Sequence, residues 1–414
     1  MKNFHNPKIL LYPKTFFDSC VQKACNLITT ACNQKNTSGT PECESTSIII
    51  GLSGGPDSVF LLHVLNFIQK QNSQIKEDSQ VKQNPTSKPN PQIKIIAVHL
   101  DHQWRAKSWR DVEFCSQLCK SLDIEFIARK ADELNLEIKF NGSKEELGRK
   151  MRRALFKQIL KEKNADFIAL AHHLQDQQET FFIRLLRGSS LSGLCCMQEI
   201  DGNYIRPLLG INKRDILEYL DSSRNHEARS NQIKYLIDPT NISPDYLRNR
   251  IRSNVIPALE QCDERFNSKF QSTLEQLNLE DDFLKTLAAQ VFNDIFEQPR
   301  NSINKLADSA SRCARGELVE PSPIGDAPDF ERSLINSNHW LGDLKKFKLL
   351  HPVLAKRVVL HWLIQEKLAF NLSTNYLDEI IRFLNSPRGG THVVGQKWKI
   401  YKKSNSFGIS SIEF

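Results

Sequence analysis

Residues 47–62 read Ser47-Ile48-Ile49-Ile50-Gly51-Leu52-Ser53-Gly54-Gly55-Pro56-Asp57-Ser58-Val59-Phe60-Leu61-Leu62. The β-branched run from Ser47 to Leu52 predicts a short buried strand. It breaks at Ser53-Gly54-Gly55, after which Val59, Leu62, His63 and Leu65 recur at helical spacing. Pro56 suits a first helical turn, where its missing N–H would have had no intrahelical partner. A strand, a tight glycine loop and a helix N-terminus aim unpaired N–H groups and the positive end of a helix dipole at one point, which makes an anion site. Two common phosphate loops do not match. A Walker loop needs a Lys after its last Gly, and a dinucleotide fingerprint needs Gly-x-Gly-x-x-Gly; neither is here.

Outward from this stretch the chain alternates. Strands are predicted over 94–100, 124–128 and 167–171, and helices over 108–121, 144–162 and 175–187. Such alternation means a parallel α/β sheet with both faces covered, whose ligands sit beyond the carboxyl ends of the strands. Residues 8–30 read as a helix leading into the core, and 31–46 as a polar loop. A tract rich in Gln, Asn, Lys, Ser and Pro over 71–94 reads as an unpacked insertion. Beyond residue 215 the pattern is mainly helical (212–223, 245–256, 265–297), with a loose Pro/Ser-rich stretch at 298–332. A tail follows over 345–414, with helices at 351–367 and 373–385 and two strand-like runs. The expected division is an N-terminal extension (1–46), a nucleotide-binding catalytic domain (47–215), a helical connector (216–265) and a C-terminal domain (266–414).

At 414 residues the chain exceeds one ordinary domain, and its 25% charged and 40% hydrophobic content is that of a globular protein. A net charge of +8 favours a polyanionic partner. The ten cysteines have neither zinc-site spacing nor a disulfide framework, which points to reduced thiols. No signal peptide or apolar run of membrane-spanning length is evident, so the expectation is a cytoplasmic protein without a membrane partner or a tightly bound metal.

Three segments carry candidate chemistry. The second strand ends in His99-Leu100-Asp101-His102-Gln103-Trp104-Arg105, where a nucleotide would sit. The helix over 144–162 places Arg149 and Arg152 on one face, opposite Leu147, Met151 and Leu155; two guanidiniums on a stripe can clamp phosphates or steady developing negative charge, or simply face water. The fourth strand runs into His172-His173-Leu174-Gln175-Asp176-Gln177-Gln178-Glu179. Asp176 and Glu179 share the first turn of a helix, a pair suited to an ammonium or Mg²⁺, with helix capping as the alternative role for Asp176.

The string Ser53–Ser58 resembles the Ser-Gly-Gly-x-Asp-Ser loop of the PP-loop ATP pyrophosphatases, which cleave ATP between its α and β phosphates. Further strings narrow the resemblance: Leu100-Asp101-His102-x-x-Arg105, Glu146-Leu147-Gly148-Arg149-x-x-Arg152, His172-His173-x-x-Asp176-x-x-Glu179-Thr180, Arg187-Gly188-x-x-Leu191-x-Gly193-Leu194, Arg206-Pro207-Leu208-Leu209 and Asp238-Pro239-Thr240-Asn241 followed by Arg248-Asn249-Arg250-Ile251-Arg252. Together they resemble the bacterial tRNA(Ile)-lysidine synthetases, closely over about 47–260. The resemblance implies a doubly wound five-stranded parallel sheet with strands one and four adjacent. It implies ligation of free L-lysine to C2 of the wobble cytidine in a CAU-anticodon isoleucine tRNA, through an adenylated base. By position, Ser53, Gly54, Gly55, Pro56, Asp57, Ser58, His102 and His172 would bind ATP, carrying Mg²⁺ as its substrate complex. Asp57, Arg149 and Arg152 would be catalytic, and Asp176 and Glu179 would receive the lysine. Arg248, Arg250, Arg252, Lys397 and Lys399, with Lys402 and Lys403, are candidates for tRNA phosphates. A homodimer is left open. Gln175 departs from the family's frequent Asp, and Arg153 from a frequent aromatic. Rival readings are another PP-loop tRNA-modifying enzyme, such as a thiolase, a small-molecule amidotransferase-like ligase, and a silent nucleotide- or RNA-binding module. The absence of Cys-x-x-Cys, the lack of a glutaminase nucleophile pattern and the intact Asp57, Arg152, Asp176 and Glu179 respectively weigh against them.

Overall fold

The computed structural model describes residues 7–35, 45–77, 92–134, 144–225, 233–237, 246–297, 339–368, 374–395, 397–403 and 405–411. The chain divides into two compact units, Met1–Leu277 and Asn278–Phe414.

In the first unit, helix α1 (Pro7–Lys35) precedes strand β1 (Thr46–Gly51), helix α2 (Pro56–Glu77), β2 (Ile93–Asp101), α3 (Trp109–Leu122), β3 (Glu125–Lys130), α4 (Lys144–Glu162), β4 (Phe167–Ala169) and α5 (Leu174–Leu186). A short α6 (Leu191–Leu194), β5 (Ile200–Asp201), β6 (Tyr204–Ile205) and α7 (Lys213–Asn225) follow. The sheet order is β3-β2-β1-β4-β6-β5. Five strands are parallel, and β5 adds a sixth, antiparallel to β6 at the edge. Strands one and four are neighbours as expected, with Ile48 opposite Phe167 and Ile50 opposite Ala169. Strand order reverses at that pair, so the loops leaving β1 and β4 open onto one crevice.

Alternation along β1 explains why both faces are covered. Ile48 and Ile50 enter a core shared with α1, α2, α3 and α7, while Ile49 points to the other face, against Leu155, Phe156 and Ile159 of α4. Helix α2 is the centre of the larger layer; Val59, Phe60, Leu61, Leu62, Val64 and Leu65 are all fully buried. Phe16 and Phe17 of α1 meet Phe60 and Tyr219 in aromatic contacts with centroids 5.1–6.3 Å apart, which ties α1 to α2 and α7.

Several local expectations shift. Helix α1 runs on to Lys35, into the stretch read as loop. Helix α2 runs on to Glu77, so the first part of the polar tract 71–94 is helical: Gln and Lys are good helix formers, and their polarity alone did not end the helix. Residues 78–91 of that tract, the stretch 298–332 and the motif starting at Asp238 lie outside the described residues. The helix expected at 245–256 is α8 (Leu247–Arg250), a π-helical turn (Ile251–Val255) and α9 (Ile256–Cys262) in succession.

The second unit combines helices, including Pro352–Gln365 and Thr374–Asn385, with a five-stranded antiparallel sheet around Trp362, Phe347 and Phe407. Three of its strands are Gly390–Val394, Trp398–Lys403 and Ser406–Ser411. Lys402 is corrected as a phosphate candidate. It is 3% exposed, and its ammonium donates to the carbonyls of Phe383 and Ser386 at 2.7 Å, closing the end of the helix Thr374–Asn385.

Candidate active site

The β1–α2 loop is braced from within. The Ser58 hydroxyl, itself buried, donates to the Gly55 carbonyl at 2.9 Å and lies 3.1 Å from the Ser53 hydroxyl. Gly54 sits at φ +81°, a left-handed conformation that costs a side chain about 1–2 kcal/mol. A Cβ there would also lie 2.8 Å from Leu236 Cδ1, and the Leu236 N–H donates to the Gly54 carbonyl at 2.8 Å. The backbone conformation calls for glycine, and the Leu236 methyl adds a lesser obstacle.

Asp57 opens α2. Its Oδ2 meets Lys213 Nζ at 3.1 Å and lies 3.7 Å from His173 Nε2, while Oδ1 is buried without a hydrogen-bond partner among the described residues. A buried carboxylate oxygen left bare is costly, so the site is built to receive a donor or a cation there. Lys213 was missed by sequence reasoning, because it lies 156 residues from Asp57. Gln175 fixes it: Gln175 Oε1 accepts from the Lys213 N–H at 2.9 Å, and Gln175 Nε2 donates to Asn212 Oδ1 at 3.0 Å. The departure at Gln175 is thus a tie between α5 and α7.

The expected lysine-binding pair separates into two structural roles. Asp176 Oδ2 accepts from the His173 N–H at 3.0 Å, the capping role. Burial pushes its pKa up, but His173, His172, the backbone bond and Arg248 outweigh this and hold it below the usual range. Glu179 is completely buried, with Oε2 2.8 Å from Arg248 Nε and Oε1 2.6 Å from Arg252 Nε. Of the two carboxylates expected to receive lysine, Glu179 thus has each oxygen engaged by a guanidinium. The same bonds engage the Nε of Arg248 and of Arg252, one helical turn apart, while the two side chains remain 26% and 41% exposed. Arg250, between them, is exposed.

Arg149 and Arg152 project from α4 into a crowd of like charge. Burial and the guanidiniums of Arg153, Arg248, Arg206 and Arg152 lower the Arg149 pKa. Arg153 lies over the Tyr204 ring at 5.7 Å. Arg206, only 3% exposed, donates to the Gln198 carbonyl and faces Asp201 at 3.5 Å, with its buried Nε lacking a partner among the described residues. His172 lies in the same field: burial, with Arg206, Arg149 and Arg248, brings its pKa down to about 4 against the pull of Asp176. Its Nδ1 has no partner among the described residues. His102 is likewise lowered to about 4 by burial, Arg152 and His99, and stacks on Trp104 with centroids 4.5 Å apart. Cationic guanidiniums, neutral imidazoles and a phosphate-sized loop thus converge at the carboxyl ends of β1, β2 and β4, a constellation suited to a polyphosphate and a second anionic substrate.

Lys397 and Lys399 belong to the second unit. Among the described residues no group of three or more His, Cys, Asp and Glu could hold a metal ion, and no helix is long and apolar enough to cross a membrane. An open cleft of about 730 Å³ along α1 has Lys23, Gln198 and Glu199 in its lining and, apart from Gln198, none of the residues above.

A family model described as the PP-loop domain matches residues 28–259. A tRNA(Ile)-lysidine synthase from Caldanaerobacter subterraneus subsp. tengcongensis is 34% identical over 253 residues, covering 60% of this chain and 48% of that protein. One from Bacillus subtilis is 31% identical over 264 residues, covering 63% and 50%. The chain spans about half the length of these curated relatives. A solved U34-tRNA thiolase from Methanococcus maripaludis aligns at 18% identity and a TM-score of 0.43, over 61% of this chain and 79% of that one.

Proposed function

We infer, for a chain that belongs to the PP-loop domain family, that it ligates free lysine to the wobble cytidine of a CAU-anticodon isoleucine tRNA at the expense of ATP. The observation that carries this reading is the meeting of the Ser53–Ser58 loop, Asp57 and a guanidinium cluster on α4 at the β1/β4 reversal. A polyphosphate and an RNA base need such a place to react, and relatives matched over 60% and 63% of the chain bear the corresponding name.

The chemistry runs in two displacements. The cytidine O2 attacks the α phosphorus, and pyrophosphate departs into the loop at the N-terminus of α2. Lysine's ε-amine then attacks C2, the C2–O bond breaks with release of AMP, and the amine loses a proton. Arg149 and Arg152 stabilise negative charge developing between nucleotide and base. His172 and His102, neutral at physiological pH, line the nucleotide without adding charge. The bare Oδ1 of Asp57 fits Mg²⁺ carried in with ATP, which would neutralise phosphate charge there. Asp176, whose Oδ1 makes no hydrogen bond among the described residues, receives the lysine ammonium, while Glu179 acts through Arg248 and Arg252. Arg250, Lys397 and Lys399 are the phosphate contacts. A reaction that draws on tRNA, ATP and lysine fits a cytoplasmic protein.

Sulfur transfer is disfavoured by the thiols themselves. Burial pushes Cys20, Cys115, Cys119 and Cys196 up to about 12, opposite to what a sulfur-relay nucleophile needs. The test is incorporation of labelled lysine into CAU-anticodon isoleucine tRNA with ATP, alongside the methionine tRNA bearing the same anticodon. Lysine-dependent labelling of the first alone is expected; ATP turnover on other tRNAs without labelling refutes the reading.

A further inference from the structure

The turn that leaves β2 is held more tightly than a nucleotide-facing loop requires. Gln103 adopts φ +56°, a left-handed conformation that a residue with a Cβ enters at a cost. Three bonds hold it there. The Asp101 carboxylate accepts from the Gln103 N–H at 2.9 Å, the Gln103 amide donates to Asp132 at 3.2 Å, and its oxygen accepts from the Asp132 N–H at 3.4 Å. On either side of Gln103, the rings of His102 and Trp104 stack at 22°.

Helix α4 supplies the support. A Cβ at Gly148 would lie 2.8 Å from the Trp104 ring and 3.2 Å from His102, so the stack rests on helix backbone that only glycine exposes. Arg149 and Arg152 follow on that helix within one turn. Yet Trp104 remains 46% exposed, although an indole of this size gains most from being covered. Strain, a three-bond brace and a bare helix surface are thus combined to hold a ring that the protein itself leaves half open.

We propose that the open face of Trp104, held in place by His102, is a preformed platform on which an unstacked base of a single-stranded RNA loop lies, next to the arginines of α4. A ring fixed before binding loses little freedom on binding, and guanidiniums next to an aromatic face are the pairing that single-stranded RNA calls for. The inference rests on the RNA reading above and adds where the base is received.

Binding of an anticodon stem-loop with the CAU sequence, without ATP or lysine, tests it by indole fluorescence. The wild-type chain should show quenching on titration. Trp104→Ala should lose that quenching and bind about 5- to 150-fold more weakly, the range one stacked base supplies, while Trp104→Phe recovers most of the affinity. The thermal midpoint should be unchanged in both variants, as befits a half-exposed ring. Equal stem-loop affinity in Trp104→Ala overturns the platform, and so does a loss confined to the KM for ATP, which would make the stacked base adenine. Because stem-loop binding is read without turnover, a chain that binds through Trp104 but incorporates no lysine would refute the ligation and leave the platform standing.

Discussion

Replacing Glu179 by Gln separates a structural clamp from a substrate ligand. The carboxylate has no solvent exposure and holds Arg248 and Arg252 at 2.8 and 2.6 Å, joining α5 to the helical segment that starts at Leu247. An amide offers one acceptor oxygen, so one guanidinium keeps a bond and the other meets an NH₂ group. Breaking a fully buried ion pair costs about 3–5 kcal/mol. The Arg248 and Arg252 side chains are 26% and 41% exposed, so water recovers part of the loss, chiefly at Arg252. About 2–4 kcal/mol is therefore expected. With a urea slope of about 2 kcal/mol per molar, the first unfolding transition should move down by roughly 1–2 M. A double-mutant cycle with Arg252→Gln should return a coupling of about 0.5–3 kcal/mol. An unmoved midpoint together with a raised KM for lysine would refute the clamp and restore Glu179 to the substrate.

Lys213→Met should raise the KM for ATP about tenfold or more, because a charge-assisted bond of about 1.5–3 kcal/mol to Asp57 disappears next to the phosphate loop; Lys213→Arg should restore most of it, and pyrophosphate release measured against ATP concentration decides. An unchanged KM in the Met variant would remove Lys213 from the site. Stability should fall on acidification from pH 7 to 5. His63, His102 and His172 are each lowered to about 4, mainly by burial, against about 6.5 in the unfolded chain. The unfolded state therefore binds more protons across that window, so their contribution is complete above pH 6.5 and is lost as pH falls toward 4. After discounting for partial exposure, about 1 kcal/mol apiece is expected between pH 7 and 5. A urea midpoint that is flat or higher at pH 5 would contradict the burial argument.

What the sequence disclosed and what it hid divide along contact distance. The Ser53–Ser58 loop was legible because a strand, its breaking glycines and a first-turn proline all lie within a dozen residues. The parallel sheet followed from alternation, but β6 escaped, since two residues after a Gly-Asn turn carry no period. Residues 71–77 misled through composition: polar side chains on a helix surface look like a loop. The partners of the charged residues were out of reach in principle. Glu179 meets arginines 69 and 73 residues away, and no local spacing announces that. Lys402 is a different failure. Its place on the buried face of its strand, beside Ile400, was readable from period 2, but its charge argued for solvent until the carbonyls at the end of the helix Thr374–Asn385 accounted for it.

The bond from Leu236 to the Gly54 carbonyl makes the floor of the phosphate loop a product of chain some 180 residues downstream. Any ligand that draws residues 233–237 into a new position must break or bend a contact on which the loop's shape depends. Thermodynamic linkage then works in both directions: what RNA does to the loop's grip on phosphate, phosphate does equally to the grip on RNA. An enzyme so wired would have reason to leave its ATP intact until the right strand arrives.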